Sequence, residues 1–299
     1  VRTDQLYTLL CKTGPFNKVE IKLFKSLLKS MGRYELITQF RSGELTLGIR
    51  GEQIVNHYSF YAVFKTPEEY RIVFGLNTIG TLPVTSIILK NQHIIFAGKK
   101  WKVQDVDSDK KIISVKKSNG GMPPSFGGEG LTVHDQIRQE MLNILKNQDY
   151  KISVGQHKLD FVDKVAKSLF KESLFAFNKL NLSNKNIIEL DNRIYIFTWL
   201  GDKVCNTLKV LFVMNNFLVS CISGVIEVEQ TNKSMVVSCL KSIHVNGIPK
   251  EEELSKYVED KEIEKFDEFL EEELINVGYG RKMFDVEATS QFINQILKQ

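Results

Sequence analysis

Four lysines near the N-terminus have a spacing that could bring their side chains together. They are Lys18, Lys22, Lys25 and Lys29. Steps of four, three and four residues place side chains on one face of an α-helix. A row of ammonium groups of this kind could neutralise successive phosphates of a nucleic-acid strand without reading its sequence. The alternative is a solvated lysine face that binds nothing.

Four further residues are candidates for contact with nucleic acid. Arg41 falls at the tip of a predicted β-hairpin, where it could reach a phosphate backbone. Lys99 and Lys100 precede Trp101 in a predicted strand and Lys102 follows it, and cations interleaved with aromatic rings are typical of single-strand binding. Strand alternation puts Trp101 on the opposite face from Lys100, which favours a core position for this ring. Trp199 lies at a predicted strand-to-helix junction, where the indole could be core or could contact a nucleobase.

Residues 1 to 58, which carry the four lysines, predict helices and strands in the order of a winged helix. Apolar residues recur at helical spacing from Asn17 to Met31, with Asn17 as the predicted N-cap and Glu20 at the capping-box position. The strings YELITQF and ELTLGI, separated by Arg41, Ser42 and Gly43, predict a hairpin. The string RGEQIVNHY then predicts a short helix.

The rest of the chain predicts three further segments and an α+β fold class. Short strands at close intervals over 59 to 117 predict a small antiparallel β-barrel. Residues 118 to 131 are rich in glycine and proline and predict a linker. Residues 132 to 299 predict a helix-rich α+β domain ending in acidic helices, one of them near 263 to 277. Asp160, Asp163 and Asp202 are predicted at helix starts. We see no internal repeat in this sequence.

Charge is distributed unevenly along the chain. The formal net charge is +4, but residues 1 to 117 hold 19 basic and 10 acidic residues, whereas 251 to 299 hold 6 and 14. The N-terminal third is therefore the electrostatic candidate for phosphate binding.

Several classes of protein are disfavoured by the sequence. The four cysteines and five histidines show no metal-ligand spacing, so we expect reduced thiols and no metal or other cofactor in this chain. The N-terminal residues do not resemble a signal peptide. The most apolar stretch, from Leu208 to Val228, is interrupted by Lys209 and Glu227, which argues against a membrane span. We expect a cytoplasmic protein without a membrane partner.

Long strings of the sequence resemble a known family. They are HYSFYAVFKTPEEYRIV (57 to 73), IGTLP (79 to 83), IIFAGKKWKVQDVD (94 to 107), GGMPPSFGG (120 to 128), VHDQIRQEM (133 to 141), TWLGDKVCNTL (198 to 208), EKFDEFLEEEL (264 to 274) and MFDVEA (283 to 288). In collinear order they resemble the region that follows the motor in Lhr-like (large helicase-related) superfamily 2 DEAD/DEAH-box helicases. The resemblance implies a winged helix and a β-barrel-containing accessory domain.

The resemblance also implies a function. The parent protein would use ATP and Mg²⁺ in RecA-like motor domains of the same polypeptide, and would act on single-stranded DNA or RNA and duplex junctions. Trp199 could then pack on the motor. This chain contains no GxxxxGK[ST] phosphate loop and no DExH box, so we expect no ATP hydrolysis by it alone. The alternatives are a stand-alone DNA-binding or regulatory subunit of a repair or defence complex, and an enzyme acting on bases, for which no catalytic pair is visible.

Overall fold

A computed structural model of the chain describes residues 1–62, 68–75, 77–84, 93–96, 99–107, 110–118, 132–155, 157–259 and 261–298. These residues form a mixed α+β structure, which confirms the predicted class. They divide into two compact units: the first unit combines residues 1–51 with 132–299, and the second unit is 52–131. The four-part domain division stays a prediction. The predicted linker, apart from Ser118, lies outside the described residues.

The first unit begins with helices that flank a small hairpin. Its elements are α1 (Thr3–Tyr7), α2 (Ile21–Arg33), β1 (Ile37–Gln39), β2 (Leu45–Leu47) and α3 (Ile49–Asn56), the last of which runs past the boundary of the unit; a π-helical turn, Thr8–Lys12, follows α1. The two strands pair antiparallel, and Gly43, with φ of +86°, makes the turn between them. The predicted order of helix, hairpin and helix is therefore present.

The start of α2 differs from the prediction. The helix begins at Ile21 with Glu20 as its N-cap, three residues after the predicted N-cap, Asn17. Glu20 has extended backbone angles (φ −68°, ψ 150°), so the helix cannot continue back through it. A turn precedes it, because the Val19 amide donates to the Phe16 carbonyl at 3.0 Å and the Tyr7 hydroxyl donates to the Val19 carbonyl at 3.3 Å.

The second unit is built on one five-stranded sheet. Its strands are β3 (Glu68–Phe74), β4 (Asn77–Val84), β5 (His93–Phe96), β6 (Lys99–Asp107) and β7 (Ile112–Lys117), in the order β4-β3-β7-β6-β5. One face of the sheet carries the core of the unit. That core consists of Ile72, Ile94, Trp101, Val103, Ile113 and Val115, all buried. The interpretation of Trp101 as a core residue is confirmed.

This sheet corrects two features of the predicted antiparallel barrel. Strands β3 and β7 pair in parallel, with Ile72 opposite Ile113. Among the described residues, β4 and β5 are the two edges of the sheet and do not pair with each other, so no barrel closes there. The string FYAVF was expected to form a strand, but its first residues belong to a 3-10 turn, Tyr58–Tyr61. Short apolar runs predict strands but not which strands pair with each other. For this reason the expected antiparallel pairing of β3 and β7 and the expected closure of the sheet were both wrong.

The first unit resumes with a second helix-hairpin-helix segment. Its elements are α4 (Asp135–Asn147), β8 (Ile152–Val154), β9 (His157–Leu159) and α5 (Lys164–Lys179). The predicted role of Asp163 is confirmed, because its side chain caps α5 by accepting the Ala166 amide at 2.8 Å. The same prediction for Asp160 is wrong, because Asp160 precedes the cap and its carboxylate pairs instead with Lys167 at 2.7 Å.

Two successive ββα segments form the centre of the first unit. They are β10 (Ile187–Leu190), β11 (Arg193–Phe197) and α6 (Asp202–Met214), then β12 (Leu218–Ile222), β13 (Val225–Glu229) and α7 (Lys233–Asn246). The four strands form an antiparallel sheet in the order β10-β11-β13-β12, so the second strands of the two hairpins pair with each other.

The two segments have matching buried positions. With a shift of 32 residues (194 to 226), Ile194 corresponds to Ile226, and Leu208 corresponds to Leu240; all four side chains are at most 1% exposed. These two pairs are identical residues, but most other positions of the two segments differ in residue type. For this reason the sequence alone did not show it.

A C-terminal helical segment completes the core of the first unit. Its helices are α8 (Glu251–Leu254), α9 (Glu272–Met283) and α10 (Val286–Ile296). Leu254, Phe284 and Ile293 are buried in the same cluster as the ββα segments. The acidic helix expected from residue 263 begins only at Glu272, after a 3-10 turn at Asp267–Phe269. In the described residues, no helix has both the length and the apolar character needed to cross a membrane.

Candidate nucleic-acid interface

Three of the four predicted lysines form a row on α2. Lys22, Lys25 and Lys29 are exposed on this helix, whereas Phe24 and Ser30 are buried on its other side. In the described part of the chain, no carboxylate pairs with any of the three. The ends of the row are separated by roughly 10 Å, since a helix rises about 1.5 Å per residue. We call these three side chains the α2 lysine row.

Lys18 is not part of this row. It is exposed in the turn before α2, because the helix begins three residues later, at Ile21. The prediction that one helix face carries all four lysines is therefore wrong. Lys18 could still approach the same strand of nucleic acid, but its direction is set by the turn and not by the helix.

The opposite side of α2 is held by the acidic C-terminal segment. Ser30, only 1% exposed, donates its hydroxyl to the Phe269 carbonyl at 2.9 Å and accepts the Glu271 amide at 3.2 Å. Arg33 pairs with the Glu271 carboxylate, and the Arg50 guanidinium lies 4.7 Å from the centre of the Phe269 ring. The acidic segment thus neutralises Arg33, which lies one turn beyond Lys29 on the exposed face of α2, whereas no carboxylate of the described residues pairs with Lys22, Lys25 or Lys29.

A cleft of about 500 Å³ adjoins the row. Lys25 lines it together with Arg2 and Lys12, and Asp4 supplies the one carboxylate in the lining. Tyr7 also lines the cleft, with its ring 5.2 Å from that of Phe24. Such a cleft offers positive charge and an aromatic ring side by side, which suits a nucleotide of a single strand.

The sequence did not indicate Arg2, Lys12 and Tyr7 as site residues. Arg2 reaches the cleft because it forms a β-bridge with Glu44 of the hairpin, and the Leu45 amide donates to the Val1 carbonyl at 2.8 Å. No regular spacing relates these residues to the lysines. Only their contact with a hairpin some forty residues later brings them together.

Arg41 lies where it was expected, in the turn between β1 and β2, and is exposed. The neighbouring Phe40 is 57% exposed. A cation beside an exposed ring at a hairpin tip can contact a backbone phosphate and an unstacked base. Its participation in binding stays a prediction.

The second unit carries its own basic surface on the outer face of the sheet. Lys100 and Lys102 alternate with the buried Trp101, and Lys102 is directly opposite Lys116 on β7. Lys99 is exposed at the start of β6. Like charges directly opposite each other on one face destabilise a sheet, so the Lys102–Lys116 pair costs stability that a bound anion would recover. Lys116 had not been selected from the sequence.

Trp199 is packed against other aromatic rings of the first unit. Its ring stacks on Phe197 with centres 5.9 Å apart and meets Phe177 edge-on at 6.1 Å. Its backbone has φ of +53°, which turns the chain sharply between β11 and α6. The indole N–H is buried and has no hydrogen-bond partner among the described residues. These contacts supply a packing role, and contact with a nucleobase stays a prediction.

Comparison of the chain with protein-family models, with curated proteins and with solved structures found no match. Functional assignment therefore depends on the residues and geometry described above.

Proposed function

We propose that this chain is the nucleic-acid-binding C-terminal portion of an ATP-dependent DNA or RNA helicase of the Lhr-like type. In this proposal residues 1 to 58 act as a winged helix, and the sheet of residues 59 to 117 is the counterpart of the family's β-barrel. The RecA-like motor, with its ATP and Mg²⁺, would be a separate part of the same polypeptide. This chain would grip and guide the single strand beside it.

The single observation that supports the proposal best is the α2 lysine row. Its three cations are exposed and have no carboxylate partner among the described residues, although the chain as a whole is nearly balanced in charge, with 40 basic and 36 acidic residues. The adjoining cleft adds Arg2, Lys12 and the Tyr7 ring. Phosphate contacts of this kind give affinity without sequence preference, as a translocating helicase requires.

The test compares two triple variants of residues 1 to 299. The first is Lys22→Ala/Lys25→Ala/Lys29→Ala. The matched control is Lys209→Ala/Lys233→Ala/Lys241→Ala, which removes the same charge from exposed helix positions of the same unit. Fluorescence anisotropy with labelled single-stranded DNA and RNA is recorded at several salt concentrations. Circular dichroism verifies that both variants are folded.

We expect the plot of log affinity against log salt to flatten by about two units for the first variant, because each phosphate that a lysine neutralises on a single strand contributes roughly 0.7 to the slope. The control should keep the wild-type slope. Affinity should fall alike for unrelated nucleotide sequences. If the slope flattens equally in both variants, only the net charge of the protein determines binding. An unchanged slope in the first variant would show that the α2 lysine row is not part of the interface.

A further inference from the structure

The cleft beside the α2 lysine row collects cations from three separate elements. Arg2 precedes α1, Lys12 ends the π-helical turn that follows it, and Lys25 lies on α2. All three side chains are exposed, and no carboxylate of the described residues pairs with Lys12 or Lys25. Because these elements approach the cleft from different sides, they can surround a group that the row on α2 contacts from one side only.

The charge of the cleft exceeds that of one phosphate within a strand. Its lining holds three cations, Arg2, Lys12 and Lys25, and one carboxylate, Asp4, so its formal charge is +2. An internal phosphodiester carries a single negative charge. A terminal phosphate monoester carries about −1.5 to −2 at neutral pH. The cleft therefore matches the charge of a phosphorylated strand end better than that of the strand interior.

The cations of the cleft have donors available for such a group. The Asp4 carboxylate lies 3.7 Å from Nε of Arg2, which leaves the two terminal nitrogens of this guanidinium without a partner among the described residues. A guanidinium can donate to two phosphate oxygens at once, whereas a lysine ammonium acts as a point charge. A phosphate monoester presents three acceptor oxygens. Each of the three cations thus has an oxygen to bind.

The apolar part of the cleft suits the base of the terminal nucleotide. The Tyr7 ring packs on Phe24, which is 4% exposed, and the Tyr7 hydroxyl donates to the Val19 carbonyl at 3.3 Å. Ile21, 48% exposed, lines the same cleft. A ring that is already fixed loses little conformational freedom when a base stacks on it.

The size of the cleft fits a single nucleotide. Its volume of about 500 Å³ lies within the range of roughly 300–1,000 Å³ that is typical of small-molecule sites. Gln39 also lines it and donates its amide nitrogen to the Gly43 carbonyl at 3.2 Å. The amide oxygen of Gln39 has no hydrogen-bond donor among the described residues, so it is available to a donor of the base or the sugar.

We propose that this cleft binds the phosphorylated end of a single strand, with the terminal phosphate monoester between Arg2, Lys12 and Lys25 and the terminal base against Tyr7. Lys25 belongs both to the cleft and to the α2 lysine row, so the phosphates that follow the strand end lie along the row. This inference rests on the proposed nucleic-acid binding and adds a preference for one kind of strand end. The 5′- and 3′-phosphates share this chemistry, and the test separates them.

The test uses the full-length chain and fluorescence anisotropy with single strands that carry an internal fluorophore. One strand has a 5′-phosphate, the second has a 3′-phosphate, and the third has hydroxyls at both ends. The fourth is one nucleotide longer and also has hydroxyl ends, so it contains as many phosphates as the phosphorylated strands but no monoester. We expect a phosphorylated strand to bind about tenfold more tightly than the fourth, since it gains charge-assisted hydrogen bonds.

A double variant connects this preference with the cleft. Arg2→Ala/Lys12→Ala should reduce the ratio of the two affinities to about one. The matched control, Lys209→Ala/Lys233→Ala, removes the same charge from exposed helix positions and should keep the wild-type ratio. The ratio compares two strands on the same protein, so a general loss of positive charge leaves it unchanged. Circular dichroism verifies that both variants are folded.

The proposal is overturned if wild type binds the phosphorylated strands and the fourth strand equally, or if the folded double variant keeps the wild-type ratio. Should the double variant fail to fold, Lys12→Ala alone is measured, and an unchanged ratio again overturns the proposal. Binding to none of the strands contradicts the proposed function as well, whereas equal binding to all contradicts only the preference for an end. A preference for one phosphorylated end supports the proposal and identifies that end.

Discussion

The buried Ser30 hydroxyl of α2 donates to the carbonyl of Phe269, 239 residues later in the chain, at 2.9 Å. The same oxygen accepts the Glu271 amide at 3.2 Å. One small side chain thus satisfies two backbone groups of the acidic segment and fixes the helix that carries the α2 lysine row. The helix that carries the α2 lysine row and the acidic C-terminal segment are therefore packed against each other.

We expect Ser30→Ala to lower the free energy of unfolding by about 1–3 kcal/mol, the cost of leaving buried backbone groups without partners. Ser26, which is partly buried on the same helix, provides the control, and Ser26→Ala should change stability by less than about 0.5 kcal/mol. Urea unfolding followed by circular dichroism measures both. A neutral Ser30→Ala would mean that the contact does not hold α2.

Arg138→Ala should destabilise the protein more strongly. The guanidinium is buried between Leu200, Cys205 and Asp202, and its removal takes the cation from the Asp202 carboxylate and a 2.8 Å donor from the Leu200 carbonyl. Breaking a buried ion pair on one side costs about 3–5 kcal/mol, and the partial exposure of Asp202 puts the expected value at the low end.

The matched control for Arg138 is Arg193→Ala. Arg193 pairs with Glu227, but 48% of its side chain is exposed, so its removal should lower the free energy of unfolding much less than removal of Arg138. Both variants are compared by urea unfolding at neutral pH. Equal effects at the two positions would contradict the structural role assigned to Arg138.

Lys116→Glu should raise stability while it weakens binding. The substitution converts the like-charge pair with Lys102 into an attractive cross-strand pair, worth about 0.2–1 kcal/mol. If the outer face of the sheet contacts phosphates, the slope of log affinity against log salt should flatten by roughly 0.7 or more. Lys117→Glu, on the other face of the same strand, is the control and should show no gain in stability. If Lys116→Glu is more stable but binds nucleic acid as wild type does, the outer face of the sheet is not part of the interface.

The reduced protein should show a distinctive dependence of stability on pH. The pKa of Cys205 is about 7 in the folded state against an ordinary value of 9.0, so between these values the unfolded chain binds more protons than the folded one. Stability contributed by Cys205 therefore grows as pH rises from about 7 to 9 and is lost as pH falls through 7. Its size is at most about 3 kcal/mol, because each pKa unit corresponds to roughly 1.4 kcal/mol.

Above pH 9 the free energy of unfolding should decrease as pH rises further. The raised pKa of Cys221 makes the folded protein keep a proton that the unfolded chain releases. Urea midpoints from pH 6 to 10 under reducing conditions should therefore pass through a maximum that the double variant Cys205→Ala/Cys221→Ala lacks. Cys239→Ala should retain it. Parallel curves for wild type and the double variant would contradict the unequal acidity of the two thiols.

Local patterns in the sequence predicted much of the secondary structure. The 3.6-residue recurrence of apolar residues indicated most of α2, and the cap at Asp163 was correctly placed. The alternation around Trp101 correctly assigned that ring to a core. These predictions succeeded because helical periodicity, capping and strand alternation depend on residues only a few positions apart.

Local sequence patterns did not predict the first residue of α2 or the contacts of Asp202. Asp202 was expected to cap α6, but Gly201 occupies that position. The Asp202 carboxylate instead accepts the Val133 amide at 2.7 Å and pairs with Arg138. An aspartate at a helix start can serve either purpose, and only the partner brought by α4 decides between them.

The sequence by itself determined the α+β class, the charge asymmetry and the lysine spacing on α2. The tertiary structure alone decided which strands pair, where Arg2 and Lys12 lie relative to Lys25, and that Cys205 lies beside Arg138. The physical reason is that periodicity shows which face of a helix or strand is buried, but not which other element covers that face. That choice follows from packing and hydrogen-bond satisfaction over the whole chain, as the contact between Ser30 and Phe269 shows.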